Sequence, residues 1–169
     1  LFDVANGPGI RVTLYVSGCT HHCNGCFNTV TWDFNAGKPF DEAVMDKIID
    51  AMKASYIAGI TILGGEPFEY VNQEGLLPLL KKVKETYPEK DVWCFTGYLF
   101  DKDIIDAMTK ESPYTSELLK YIDVIVDGPF IEEQRNLMLK FKGSENQRTI
   151  DVQKSLEAGY VIEREGYES

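Results

Sequence analysis

Basic residues are in short supply in this chain: 17 lysines and arginines face 27 aspartates and glutamates, and the only histidines are His21 and His22. The net charge of −10 repels phosphate backbones and argues against broad nucleic-acid binding. Long apolar runs are missing as well. No stretch approaches the roughly 18 apolar residues of a transmembrane helix, so no membrane association is expected. Leu1 to Ile10 has neither the basic flank nor the apolar block of a secretion signal, although a chain starting at Leu1 leaves residues ahead of it open. Cysteine is sparse: four in 169 residues, three of them crowded between positions 19 and 26. A disulfide scaffold spreads its cysteines and uses more of them for a chain of this length. Crowded thiols point instead to a metal or redox site in a reducing compartment, which places the protein in the cytoplasm.

What is present reads as an ordinary globular chain, 44% apolar and 26% charged. Its length fits one compact domain over residues 1–169, with the tail after about Lys142 hard to place. From Arg11 to Ser17, Val12, Leu14 and Val16 alternate with Thr13, Tyr15 and Ser17, a strand pattern preceded by the turn Asn6-Gly7-Pro8-Gly9. Asp41 is placed to cap a helix carrying Val44, Met45, Ile48, Ile49 and Met52 on one face. A strand Ile60–Leu63 ends in Gly64-Gly65, and a helix from Glu74 to about Thr86 puts Pro78 in its first turns. Asp91–Phe95 reads as a strand, Asp101–Met108 as a helix, and the surroundings of Leu118 and Leu119 as a short helix. Ile122–Val126 reads as a further strand before Asp127-Gly128-Pro129. Alternating strands and helices make an α/β fold of parallel units, with the polar, glycine-rich residues at the strands' C-terminal ends, where such folds bind ligands.

The chemistry-bearing segment runs Ser17-Gly18-Cys19-Thr20-His21-His22-Cys23-Asn24-Gly25-Cys26-Phe27-Asn28. Three thiolates at C-x3-C-x2-C spacing can hold three corners of a [4Fe–4S] cube and leave one iron open to a ligand. Gly18 and Gly25 let backbone come close to such a cluster. A zinc site that adds His21 or His22 is the other reading of the same donors. Cys94 sits inside strand-like Val92-Trp93-Cys94-Phe95 and is expected to be an inert core thiol. If it reached the cluster, the open position would close.

These residues resemble a known family. C-x3-C-x2-C followed by Gly64-Gly65-Glu66-Pro67 is similar to the radical S-adenosylmethionine (SAM) superfamily. A narrower set resembles the activating proteins of anaerobic ribonucleoside-triphosphate reductase: Asn6 to Arg11, Val16 to Cys19, Asn28 with Thr31-Trp32, Thr96-Gly97-Tyr98, Val126 to Phe130, and Gly143-Ser144 with Asn146-Gln147-Arg148. The resemblance implies an incomplete (β/α) barrel of radical SAM type, with Cys19, Cys23 and Cys26 as cluster ligands. It implies that SAM lies beside Gly25, Cys26 and Phe27, that Gly64, Gly65 and Glu66 take its methionine amino group, and that Thr96 and Asp127 are softer candidates at the same edge. It further implies reductive cleavage of SAM to make a glycyl radical on the reductase, fed by a reduced flavodoxin- or ferredoxin-type electron donor. Activation of pyruvate formate-lyase, or a small-molecule radical reaction, is the neighbouring alternative.

Overall fold

In the computed structural model of the chain, residues 2–3, 7–16, 42–64, 66–136, 138–139 and 141–164 are described. They build a mixed α/β structure around one six-stranded sheet in the spatial order β1-β2-β3-β4-β5-β6, which is also the sequence order. The strands are β1 (Phe2–Asp3), β2 (Ile10–Val16), β3 (Ile57–Gly64), β4 (Asp91–Phe95), β5 (Val124–Asp127) and β6 (Arg148–Asp151). Strands β2 to β5 are mutually parallel, while β1 and β6 run antiparallel at the two edges. The expected all-parallel set therefore holds for the four central strands.

Each parallel connection carries a helix: α1 (Glu42–Ala51) before β3 and α2 (Tyr70–Thr86) before β4. Between β4 and β5 lie a π-helical segment (Phe100–Met108), α3 (Thr109–Glu111) and α4 (Pro113–Leu119), and α5 (Val152–Ala158) follows β6. Right-handed crossovers between strands that advance in one direction put the helices on one face of the sheet. The core bears this out. Val12, Leu14 and Val16 of β2, Ile60 and Ile62 of β3, Val92 and Cys94 of β4 and Ile125 of β5 are buried in one cluster with Ile48, Met52, Leu76, Leu79, Leu80, Val83, Ile104 and Leu118. A side chain of this size contributes about 1.5–3 kcal/mol when fully buried, and this layer is the main source of stability. The alternate positions Trp93, Val124 and Val126 form a second cluster on the other face, where Phe141 meets Trp93 edge to face at 5.6 Å.

Several boundaries differ from the sequence reading. Helix α2 begins at Tyr70, so Pro78 lies in its interior rather than its first turns. Pro78 is exposed, which lets water satisfy the Glu74 carbonyl that loses its intrahelical donor. The apolar pattern puts Leu76, Leu77, Leu80 and Val83 inward; Leu76, Leu80 and Val83 are buried, but so is Leu79, whereas Leu77 only packs against the core. The helix after β4 is wound with an i→i+5 bond, Ile104 N donating to Leu99 O at 3.1 Å. Strand β5 starts at Val124, two residues later than expected.

The tail acquires structure: Asp151 caps α5 by accepting from Lys154 N, and Gly159 ends the helix at φ 81°. Residues 162–164 then lie along β6, with Asp151 N donating to Ile162 O and Arg164 N to Thr149 O, and so cover that edge. Asp41, Ser17 and the side chains of Tyr15 and Val44 lie outside the described residues.

Candidate functional site at the C-terminal strand edge

Parallel pairing brings the ends of β2, β3, β4 and β5 to one edge. Val16, the last residue of β2, is opposite Gly64, the last of β3, and the register continues through Ile62 and Cys94 to Ile125. The chain leaves β2 here, three residues before Cys19. Cys19, Cys23, Cys26, Gly25, Phe27 and Gly65, with His21, His22, Asn28, Thr31 and Trp32, lie outside the described residues. Among the described residues, no group of three or more His, Cys, Asp or Glu side chains could hold a metal ion.

The described part of this edge is organised by Glu66. Its side chain is completely buried; Oε2 accepts from Phe68 N at 2.8 Å and Thr96 Oγ1 at 2.7 Å, and Oε1 from Gly97 N at 2.8 Å. Its backbone carbonyl accepts from Asn72 Nδ2 at 2.8 Å. Burying a carboxylate is costly unless donors replace its water, and three donors do so here. The Thr96 hydroxyl gives its proton to Glu66 and accepts from Tyr98 N at 3.1 Å. The expected neighbours Gly64, Glu66 and Thr96 are thus assembled at one edge, with the Glu66 carboxylate and the Thr96 hydroxyl engaged in tying β3 to β4.

Asp127, at the end of β5, is equally buried but held differently. It accepts from Phe100 N at 2.8 Å and from two nitrogens of Arg148, at 3.1 and 2.5 Å. Arg148 also donates to Asp101 at 3.0 Å. Partial burial pushes the Asp101 carboxyl up, but the hydrogen bond and charge of Arg148 outweigh it and hold the group below its usual range. Sequence reasoning offered Asp127 as a ligand candidate and missed this clamp. The signal was the pairing of two motifs already noted. Asn146 Nδ2 donates to Pro129 O at 2.7 Å and Gln147 Nε2 to Gly128 O at 3.0 Å, so the segment after Gly143 closes onto Asp127-Gly128-Pro129.

Cys94 is a free, buried thiol in the main core, with burial first and the Glu66 charge second pushing its pKa well above the ordinary thiol value. The Gly7-to-Arg11 turn belongs to the opposite end of the sheet. There Arg11 is buried, pairs with Asp91 at 2.6 Å and donates to Thr61 Oγ1 at 2.8 Å and Ile60 O at 3.0 Å. That cluster braces β2, β3 and β4 away from the candidate site.

In donor type, a sequence with three cysteines between positions 19 and 26, entered three residues after β2 ends opposite Gly64, is compatible with an iron–sulfur centre. Comparison with known proteins gives the same chemistry. A family described as "4Fe-4S single cluster domain" matches residues 5–150. The "anaerobic ribonucleoside-triphosphate reductase-activating protein" of Haemophilus influenzae is 44% identical over 147 residues, covering 86% of this chain and 90% of that protein. The protein of the same name from Enterobacteria phage T4 is 41% identical over 148 residues (86% of each), and that of Escherichia coli is 38% identical over 147 residues (86% and 90%). No solved structure matches the chain. At this identity and coverage, the chain belongs to the family of anaerobic ribonucleoside-triphosphate reductase-activating proteins.

Proposed function

We propose that the protein is a radical SAM activase that installs a glycyl radical on anaerobic ribonucleoside-triphosphate reductase. The observation that carries this reading is the convergence on one sheet edge: β2 ends at Val16 opposite Gly64, Glu66 and Thr96 are hydrogen-bonded at the ends of β3 and β4, and Cys19 follows Val16 by three residues in the sequence. Relatives named for the activation of that reductase supply the target.

Cys19, Cys23 and Cys26 hold the [4Fe–4S] cluster. The iron–sulfur family match favours this over zinc bound with His21 or His22. SAM lies along Gly25, Cys26 and Phe27 and against the Gly64-Gly65-Glu66 strand end and Thr96. When bound, the cluster and SAM supply a one-electron reductive cleavage of the sulfonium, using a reduced flavodoxin- or ferredoxin-type donor, that ends in hydrogen-atom removal from a glycine Cα of the reductase. The protein's own part is to bind, orient and exclude water: Glu66 and Thr96 fix the strand ends, and Asp127 with Arg148 fixes the next pair.

The fold is read as an incomplete (β/α) barrel. Its support is the strand order, which advances without the reversal of doubly wound sheets. Residues 1–169 are read as one domain, since a single sheet gathers strands from Phe2 to Asp151. No described helix is long and apolar enough to cross a membrane, and the charge of −10 opposes nucleic-acid partners. The partners in this reading are the reductase for which the relatives are named and a reduced electron donor, in the reducing cytoplasm that crowded thiols suit.

The test is anaerobic incubation of the reconstituted protein with SAM, a reductant and the reductase, followed by electron paramagnetic resonance. A glycyl radical doublet that disappears when the reductase's radical glycine is changed to alanine is expected. A radical product formed only with a small metabolite, and never with the reductase, would falsify the activase reading.

A further inference from the structure

Next to the Glu66–Thr96 tie, but sharing neither residue, an open cavity of about 250 Å³ is lined by Phe68, Glu69, Tyr70, Tyr98, Asp103 and Glu111, among others. Its lining carries three carboxylates and no lysine, arginine or histidine. Both phenol hydroxyls are engaged with those carboxylates: Tyr70 donates to Glu111 Oε2 at 2.6 Å and Tyr98 to Glu69 Oε1 at 2.9 Å. The hydrogen bond to Glu111 first, then burial and the charges of Glu111 and Glu69, raise the Tyr70 pKa above the ordinary phenol value, so this hydroxyl stays a donor. The cavity therefore offers a guest carboxylate oxygens and aromatic rings, and both bind cations. Among the described residues no three carboxylates are grouped to hold a metal ion, which leaves a cation of larger span. The volume lies below the roughly 300–1,000 Å³ of sites that enclose a whole small molecule, and it suits one long side chain. A guanidinium matches: it is planar, carries five donors for separated carboxylates and stacks on aromatic faces.

We infer that this cavity is a docking socket for an arginine side chain of the reductase. The inference rests on the activase reading, which brings a glycine of the reductase to the strand edge. The Tyr98–Glu69 hydrogen bond joins the turn after β4 to the segment after β3 at that edge, and Phe68 N and Tyr98 N are bonded to Glu66 and Thr96 themselves. A partner that reaches the edge comes down beside the socket. Tyr70 is 44% exposed and Glu111 is exposed, so both are open to it. The net charge of −10 draws a basic surface in, and the three carboxylates give that attraction a fixed point.

The test is the dissociation constant of the cluster-loaded protein for the intact reductase, by anaerobic titration calorimetry, with 5′-deoxyadenosine yield in the absence of reductase as the control. Glu111→Gln, which keeps an acceptor for Tyr70, should weaken binding roughly fivefold, and Glu111→Lys roughly fiftyfold or more. Iron content, thermal midpoint and the control yield should match wild type. Arginines around the radical glycine of the reductase are then changed to alanine one at a time. One of them should cost roughly tenfold against the wild-type protein and nothing further against Glu111→Lys. Wild-type affinity in both Glu111 variants overturns the inference, as does the lack of any coupled arginine; coupling to a lysine alone overturns the choice of guanidinium. Should a Glu111 variant lower the thermal midpoint, Tyr70→Leu decides in its place: weaker binding at an unchanged control yield supports the socket, and wild-type binding overturns it. A wild-type protein that neither binds nor activates the reductase refutes the activase reading and the socket with it, whereas normal activation with indifferent variants refutes the socket alone.

Discussion

Two strand ends, two buried carboxylates and two different solutions stand side by side in this molecule. Glu66, at the end of β3, is held by a hydroxyl and two backbone N–H groups, which are neutral donors. Asp127, at the end of β5, is held by a guanidinium that reaches it with two nitrogens. Arg148 compensates charge with charge and fastens β5, β6 and the π-helix together. The hydroxyl and the two N–H groups at Glu66 tie the turn after β3 to the end of β4, whereas the Asp127 end is built as a brace around a guanidinium.

The sharpest way to break this comparison is to remove the guanidinium. Arg148→Ala leaves Asp127 buried without its cation, and truncating one partner of such a pair costs about 3–5 kcal/mol. Arg148 is 29% exposed, so the lower part of that range is expected. Urea unfolding should show it as a lower midpoint at unchanged slope, and a loss below about 1 kcal/mol would mean that Asp127 needs no cation.

Thr96→Val tests the other end. It removes one donor from Glu66 and the acceptor of Tyr98 N, for an expected loss of about 1–3 kcal/mol in the same unfolding measurement. An effect as large as that of Arg148→Ala would erase the distinction between brace and shaping contact.

The difference should also be visible in pH. Arg148 depresses the folded-state pKa of Asp101, so this carboxylate adds stability above its unfolded pKa of about 3.9. That stability is lost as pH falls through the lower folded value. Asp101→Asn should therefore flatten the acid limb of the stability profile below about pH 4 and change little near neutrality. An unchanged acid limb would show that Arg148 serves Asp127 alone.

Cys94→Ala should give the smallest effect, a stability change within about 1 kcal/mol and no loss of iron. Its thiol, raised by burial and then by Glu66, should resist alkylation in the native protein. Loss of the cluster in Cys94→Ala would undo the three-cysteine assignment.

The strands that position the site were legible in the sequence because their faces differ. Val12, Leu14 and Val16 alternate with polar residues, a pattern that marks a strand even though Arg11 and Thr13 are buried too, and Asp91–Phe95 runs into the Thr96-Gly97 turn. Less legible was anything resting on contacts distant in the chain. The Glu66–Thr96 bond spans 30 residues and follows only from the parallel register of β3 and β4. The Asp127–Arg148 clamp requires an antiparallel β6 of four residues, too short to show alternation and lying in the tail that the sequence reading left unplaced. The early start of α2 was hidden because Asn72 and Gln73 are polar yet buried, which breaks the apolar stripe, and Pro78 was read as a first-turn proline. The i→i+5 winding after β4 has no side-chain signature, since Ile104 and Met108 fit an ordinary helix equally well.

The most direct measurement is the yield of 5′-deoxyadenosine, by mass spectrometry, from anaerobically reconstituted protein given SAM and a one-electron reductant, compared with Cys19→Ala, Cys23→Ala and Cys26→Ala. Wild type carrying about four irons per chain should release 5′-deoxyadenosine, and each variant should release none. Wild-type protein that holds its cluster and binds SAM but never releases 5′-deoxyadenosine, or any of the three variants that still does, would contradict the radical SAM assignment.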